Sequence, residues 1–432
     1  MNNRRFTLRR MGWRILGLFL AFLALSPTAL LQGETSLKAS SEGGSTEGGS
    51  ALKLLRQYIE EQGLGGIEGE SFATTPLSAW EAEEAEALLW QAQAKQTRNE
   101  RADVFASRVL EHDGLKMPFW YTTYGDPPGD GRSLYISMHG GGGAPSHVND
   151  SQWENQKRLY EPDEGVYLVP RAPTNTWNLW HQAHIDRLFD RLIADLIVFE
   201  NVNPDRVYLM GYSAGGDGVY QLAPRISDRF AAAAMMAGHP NDANVEGLRN
   251  IPFTLHMGER DTPYGRNVEA QKWKDRLAEL QEQDPGGYLH LVKIHEGKGH
   301  WMEREDAVAV PWMAQHRRSL HPERIVWIQH AVPHSRYYWL AVSQPVLGAR
   351  TVVEREGQTI EIVEWQDQGD LALRLDDASL DLEAPVVVMQ GDRELFRGRV
   401  DRTIATLAKT LKERNDPRGM FSAEVVVTPP VE

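Results

Sequence analysis

The sequence predicts a doubly wound, mostly parallel α/β sheet with a helical extension before it and a small β-rich domain after it. Three observations carry that class. Strand-like apolar runs alternate with helix-like stretches between residues 105 and 320. Two glycine-rich turns, His139-Gly140-Gly141-Gly142-Gly143 and Gly211-Tyr212-Ser213-Ala214-Gly215, each follow directly behind such a run. Beyond His321 the helices give way to short β-rich runs separated by turn residues.

The elements follow in order. Residues 1–33 carry Arg4, Arg5, Arg9, Arg10 and Arg14, no acidic residue, and the short apolar stretch Ile15 to Leu25. That is the pattern of a secretory signal peptide, too short for a comfortable membrane span of about 20 residues. An uncleaved anchor is the lesser alternative. Residues 34–50 are rich in Gly, Ser and Glu and read as a flexible linker. Ser78-Ala79-Trp80-Glu81 is a capping box that opens a helix through about Gln96, so residues 51–104 form a helical extension.

Within residues 105–320, strands are expected near 107–112, 117–124, 133–138, 165–170, 206–210, 231–236, 251–257 and 288–294. Helices fall at His184 to Glu200 and Asn267 to Leu280, and a last one at Trp301 to His316. Residues 321–432 read as a separate domain with strands at Arg324 to Gln329, Tyr337 to Val342, Thr359 to Val363, Val386 to Met389 and Ala423 to Thr428. One helix, Thr403 to Arg414, interrupts them.

The chemistry starts at Ser213. A serine between two glycines, behind a strand and ahead of a helix, fits a nucleophile elbow, where the sharp turn leaves no room for neighbouring Cβ atoms. A serine hydroxyl needs a histidine to take its proton and a carboxylate to orient that histidine. Asp261 follows the strand at 251–257 and His300 follows the strand at 288–294, so both fall on loops at the edge of the sheet that carries Ser213. Glu259 is the alternative acid. His256 lies inside a strand and His139 beside the glycine run, where structural roles are expected. The amides of Gly140, Gly141 or Gly142, together with that of Ala214, are placed to receive an oxyanion. A phosphate cradle is the rival, but the run lacks the Lys-Ser/Thr of a P-loop and the GxGxxG spacing. Trp177, Trp180 and Trp301 are the aromatic candidates for lining a cleft, and Tyr212 faces either the cleft or the core.

In this order, strand-HGGGG, GYSAGG, GERD and GKGH resemble a serine esterase of the α/β-hydrolase fold. More narrowly, residues 105 to 318 resemble secreted poly(3-hydroxybutyrate) depolymerase-like proteins and feruloyl and acetylxylan esterases. The resemblance implies Ser213 as nucleophile, Asp261 as acid and His300 as base, with the Ala214 amide and one of Gly140 to Gly142 as the oxyanion hole. No cofactor and no metal are expected. A prolyl-oligopeptidase-like peptidase would use the same triad, but the N-terminal region is too short for a propeller and shows no repeat. A catalytically silent binding protein on the same fold is the reading from another class.

Composition agrees with a secreted or periplasmic enzyme. There is no cysteine, which excludes disulfides and thiolate metal sites. The formal charge of −14 becomes −19 once the five signal arginines are removed. Such a surface disfavours nucleic acid and anionic membranes, and leaves neutral esters, polysaccharide- or polyester-borne ones included, as the expected partner. No stable membrane partner is expected.

Overall fold

A computed structural model of the chain describes residues 46–366 and 368–429. The signal-peptide reading and most of the linker reading lie outside these residues. Among the described residues no helix is long and apolar enough to cross a membrane.

The chain opens with helix α1 (Thr46–Gln62), so residues 46–50 continue a helix and are not part of a linker. Helix α2 (Ala79–Ser107) starts at the expected capping box: Ser78 Oγ accepts from Glu81 N–H and the Glu81 carboxylate accepts from Ser78 N–H. It runs a further eleven residues past Gln96 to Ser107. Its second half is held by apolar packing, with Phe105 buried in the main core and stacked on Phe199 at 4.5 Å, and by charge. Arg101 pairs with buried Asp195 at 2.8 Å, and Arg98 donates to the Val198 carbonyl at 3.4 Å.

The main sheet has eight strands: β1 (Val109–His112), β2 (Leu115–Tyr124), β3 (Arg132–Met138), β4 (Gly165–Pro170), β5 (Val202–Tyr212), β6 (Ala232–Met236), β7 (Phe253–Gly258) and β8 (His290–His295). Their order is β1-β2-β4-β3-β5-β6-β7-β8. β3 to β8 run parallel and β2 is antiparallel to β4. Strands such as β4 are buried along their whole length, as a sheet covered on both faces requires. The helices are α3 (Ser146–Gln156), α4 (Ala183–Phe199), α5 (Ala214–Arg225), α6 (Arg266–Gln283) and the short α7 (Ala309–Met313). One core cluster gathers Leu188, Phe189, Val219, Leu255 and Trp273. A second, around Tyr135, Tyr167, Met210, Met302 and Met313, fills the other side.

Two readings are corrected here. The strand expected at 206–210 is longer, because β5 takes in Val202 to Asp205 ahead of it and ends at Tyr212. The expected helix Trp301 to His316 is broken into a 3-10 turn at Glu305–Val308 and α7. Glu303 and Arg304 adopt left-handed backbone at φ 56° and 68°, which turns the chain away after it has crossed the end of the sheet. Asp306, buried and hydrogen-bonded to Tyr160, anchors the turn.

The C-terminal strands form two further sheets. The five-stranded one comprises β9 (Arg324–Ile328), β12 (Arg350–Glu356), β13 (Thr359–Trp365), β15 (Val386–Gln390) and β16 (Arg393–Gly398). The four-stranded one comprises β10 (Arg336–Tyr337), β11 (Leu340–Val342), β14 (Leu371–Leu375) and β17 (Ala423–Val427). Their inner faces share one core that includes Trp327, Val353, Leu340 and Leu373. Helix α8 (Ile404–Arg414), capped by Thr403, leaves that sandwich and buries Ile404, Leu407 and Leu411 against α1 and α2. Charge ties the sandwich to the main sheet: buried Asp416 accepts from Arg318 at 2.7 Å and Arg229 at 3.2 Å. Asp228 accepts from the Tyr338 amide at 3.1 Å and pairs with Arg414.

Candidate active site

β5 delivers Ser213 at the carboxyl end of the sheet, and α5 begins with the next residue. Ser213 sits at φ 58°, ψ −122°, a costly conformation for a residue with a Cβ. The flanking glycines are required by contact. A Cβ on Gly211 would lie 2.2 Å from the Gly215 carbonyl oxygen, and one on Gly215 would lie 2.1 Å from the Met138 carbonyl oxygen. The turn is pinned by the Ser213 amide donating to the Met236 carbonyl at 2.9 Å.

The loops after β7 and β8 bring the two partners to this serine. His300 Nε2 lies 2.9 Å from Ser213 Oγ, and His300 Nδ1 lies 2.7 Å from Asp261 Oδ2. Asp261 is buried and His300 exposed. With Nδ1–H donating to the carboxylate, Nε2 is left as acceptor for the serine hydroxyl. Glu259, the alternative acid, is engaged elsewhere: its carboxylate accepts from the Gly297 amide at 2.8 Å. Together with Arg260 N–H donating to Lys298 O at 2.8 Å, that bond laces the two loops to each other.

Tyr212 faces inward as well as lining the cleft. Its hydroxyl donates to the His300 carbonyl at 2.6 Å and accepts from the Met302 amide at 3.1 Å. Burial pushes the phenol well above its ordinary pKa, so it stays protonated as this donor. The residue before the serine thereby holds the loop that carries the histidine.

The glycine run has three successive left-handed residues, Gly141, Gly142 and Gly143, at φ 108°, 80° and 57°. The Gly142 amide is already used, donating to Asn149 Oδ1 at 2.8 Å, which removes it from the expected oxyanion donors. The Gly141 amide has no acceptor among the described residues. Gly140 and Gly141 line the same cavity as Ser213. Ala214 opens α5, where first-turn amides have no intrahelical acceptor. His139 shapes the run, as expected. Its Nδ1–H donates to the Gly140 carbonyl at 2.6 Å and its Nε2 accepts from the Ala172 amide at 3.1 Å. Burial drops its pKa to about 3, so it is neutral.

Of the tryptophans, Trp180 is corrected. It is fully buried, and its indole N–H donates to the His139 carbonyl at 3.0 Å, supporting the glycine run from beneath. Trp301 is half exposed and lines the cavity, whereas Trp177 stands on the other side of Gly142. Asn149 is the residue that the sequence reading missed. It donates to the Ala144 carbonyl at 3.1 Å and to Asn175 Oδ1 at 3.0 Å while receiving the Gly142 amide. Nothing in its local sequence marks it.

The cavity at Ser213 measures about 620 Å³ and is bounded by α3 and the His300 loop. Its apolar lining comes from Val148, Leu159, Tyr212 and Trp301, and its charged lining from Arg158 and Arg304. No Asp or Glu lines it, in a chain whose net charge is −14. Among the described residues no group of three or more His, Cys, Asp or Glu could hold a metal ion.

Residues 169–311 match the model of the dienelactone hydrolase family. The elbow, the strand order and this match agree. The chain has the α/β-hydrolase fold. A bifunctional acetylxylan esterase/xylanase of Neocallimastix patriciarum is 29% identical over 141 residues, 32% of this chain and 20% of that protein. Among solved structures, a thermostable esterase is 20% identical with a TM-score of 0.40 over 49% of this chain and 62% of its own. The poly(3-hydroxybutyrate) depolymerase of Bordetella parapertussis is 16% identical with a TM-score of 0.35 over 49% of this chain and 90% of its own. The chain thus spans a fifth of the length of the curated relative and less than two thirds of the first of these structures. The family match lies wholly inside the α/β-hydrolase unit and includes β5, the elbow, Asp261 and His300.

Proposed function

We propose that this α/β-hydrolase is a secreted serine carboxylesterase. The observation that carries the reading is the continuous chain of hydrogen bonds from Ser213 through His300 to buried Asp261, at the mouth of a cavity. Ser213 Oγ attacks the ester carbonyl carbon as its proton passes to His300 Nε2, and Asp261 stabilises the imidazolium. The carbonyl oxygen, now negative, takes N–H donors from Ala214 and the Gly140 to Gly141 backbone, each worth about 3 kcal/mol in such sites. The imidazolium gives its proton to the leaving alcohol. Water, deprotonated by the same histidine, then releases the acid from Ser213 and restores the enzyme. The bifunctional acetylxylan esterase/xylanase among the similar proteins and the dienelactone hydrolase family match support an ester as the substrate. The Arg-rich, signal-like residues 1–33 support export.

The test is a fluorophosphonate probe and p-nitrophenyl esters of graded acyl length, applied to the wild-type chain and to Ser213→Ala. Labelling and turnover that both vanish in the variant are expected. A wild-type chain that takes up no probe and cleaves no ester would leave the fold as a binding module.

A further inference from the structure

A second cavity, of about 340 Å³, shares Gly141 with the one described above and has Ala214, the residue after the serine, in its own lining. Two aromatic side chains bound it, and both are turned to solvent: Trp177 is 63% exposed and Tyr264 80%. Neither position is a relaxed surface site. Tyr264 is held in left-handed backbone at φ 59°, and the Arg266 guanidinium sits 4.8 Å from its ring centroid. Trp177 stands edge-on to His181 at 5.4 Å, and its backbone is pressed on the glycine run, where a Cβ on Gly142 would lie 3.1 Å from its carbonyl oxygen. Exposing two large rings, one of them on strained backbone, brings no return in folding.

Between the rings the lining is polar and already ordered. Asp217 accepts from the His239 amide at 2.6 Å, and His239 Nδ1 accepts from the Asn241 amide at 3.0 Å. Arg266 reaches back to within 3.7 Å of Asp261. Flat aromatic faces beside fixed carboxylate, amide and imidazole groups match a ring that has apolar C–H faces and a hydroxyl edge. An acyl chain or an aryl acid would cover the rings but leave the polar groups without partners.

We propose that this cavity is a sugar subsite, in which Trp177 and Tyr264 contact the pyranose ring that bears the ester. The substrate class is then an acylated carbohydrate, with the polyol on the Trp177 side of the glycine run. The turnover part rests on the esterase reading; the binding part does not.

Two experiments separate them. Calorimetric titration of full-length Ser213→Ala with xylotriose, cellotriose and mannotriose reads binding alone. Heat of binding to at least one of them, lost when Trp177→Ala or Tyr264→Ala is added, is expected. No binding to any of the three overturns the subsite, whatever the esterase assay gives. In the active chain, the ratio of kcat/KM on an acetylated xylo-oligosaccharide to that on p-nitrophenyl acetate is expected to fall tenfold or more in Trp177→Ala and Tyr264→Ala. Equal losses on both esters would also overturn it, and Tyr264→Gly, which relieves the backbone strain, guards against a variant that merely misfolds.

Discussion

Replacing Tyr212 by Phe removes one oxygen atom and keeps a ring that is only 8% exposed. That oxygen makes two bonds to the histidine loop, donating to His300 O at 2.6 Å and accepting from Met302 N at 3.1 Å. Met302 is fully buried, so its amide has no water to turn to. Leaving one buried backbone group unsatisfied costs about 1–3 kcal/mol. The two bonds together hold the loop with about 3 kcal/mol, on that scale. The loop keeps its lacing to Glu259 and Arg260, so the chain folds, with a lower Tm. His300 loses its fixed height over Ser213, however, and a misplacement of about 1 Å costs on the order of 100-fold in rate. We expect kcat on p-nitrophenyl butyrate to fall 10- to 100-fold with KM little changed, and fluorophosphonate labelling to slow in parallel. A kcat within twofold of wild type would refute the clamp.

Other expectations are more compact. Gly215→Ala pushes a methyl to 2.1 Å from the Met138 carbonyl oxygen, between backbone atoms that cannot yield, and is expected to cost more than about 3 kcal/mol in denaturant unfolding; a soluble variant of wild-type stability would contradict it. Asn149→Ala frees the Gly142 amide and slackens the glycine run, and kcat is expected to drop about 10-fold while KM stays within threefold. Glu86 is raised to about 7 by burial and then by the charge of Asp376, with Arg418 opposing and Glu83 adding. The folded state therefore holds this proton more tightly than the unfolded chain. Its contribution is complete below about pH 4.5 and is lost as pH rises through about 7. Glu86→Gln should match wild type at pH 4.5 and exceed it at pH 8 by about 1–2 kcal/mol, a figure reduced for the group's partial exposure; identical pH profiles would count against it. Asp416 moves the other way. Burial opposes its ionisation, but Arg318 and Arg229 overcome that and hold it at about 2. Its stabilisation is present above about pH 3.8 and lost as pH falls toward 2, so in denaturant unfolding Asp416→Asn should fall furthest below wild type above pH 3.8 and approach it near pH 2; a gap that widens toward pH 2 would contradict this.

The main sheet was legible because its strands are short apolar runs closed by glycine or proline signals, and burial on both faces enforces that composition. Ser213, Asp261 and His300 were legible because each lies immediately beyond such a run, so strand ends alone bring them to one edge. Side-chain direction was not. Trp180 and Trp177 are three residues apart, yet one is buried under His139 and the other faces solvent, a difference set by how the loop packs on Gly218 and the glycine run. Asn149 escaped because a buried amide that satisfies a loop amide has no periodic signature. The helix expected after Trp301 failed for a related reason: the sequence there can form helix, but the loop must first pass over Ser213, and the left-handed pair Glu303 and Arg304 redirects it. Past Gln96, α2 is held by the pair of Arg101 with Asp195 and by Phe105 stacked on Phe199, long-range contacts that a local apolar count does not register.

Helix α8, which packs with the early helices, also orders events in time. Leu52, Leu55, Leu77 and Leu89 near the start are sheltered by Leu407 and Leu411 near the finish, and Leu77 bridges to Arg402. A ribosome releases the first partners more than 300 residues before the last. Until α8 emerges, the early helices carry an uncovered apolar face, so this part of the polypeptide reaches its native state only after residues 404–414 have been made. A nascent chain stalled ahead of residue 400 would be a client for holdase chaperones and a ready target for proteases, even with every strand of the catalytic sheet already made.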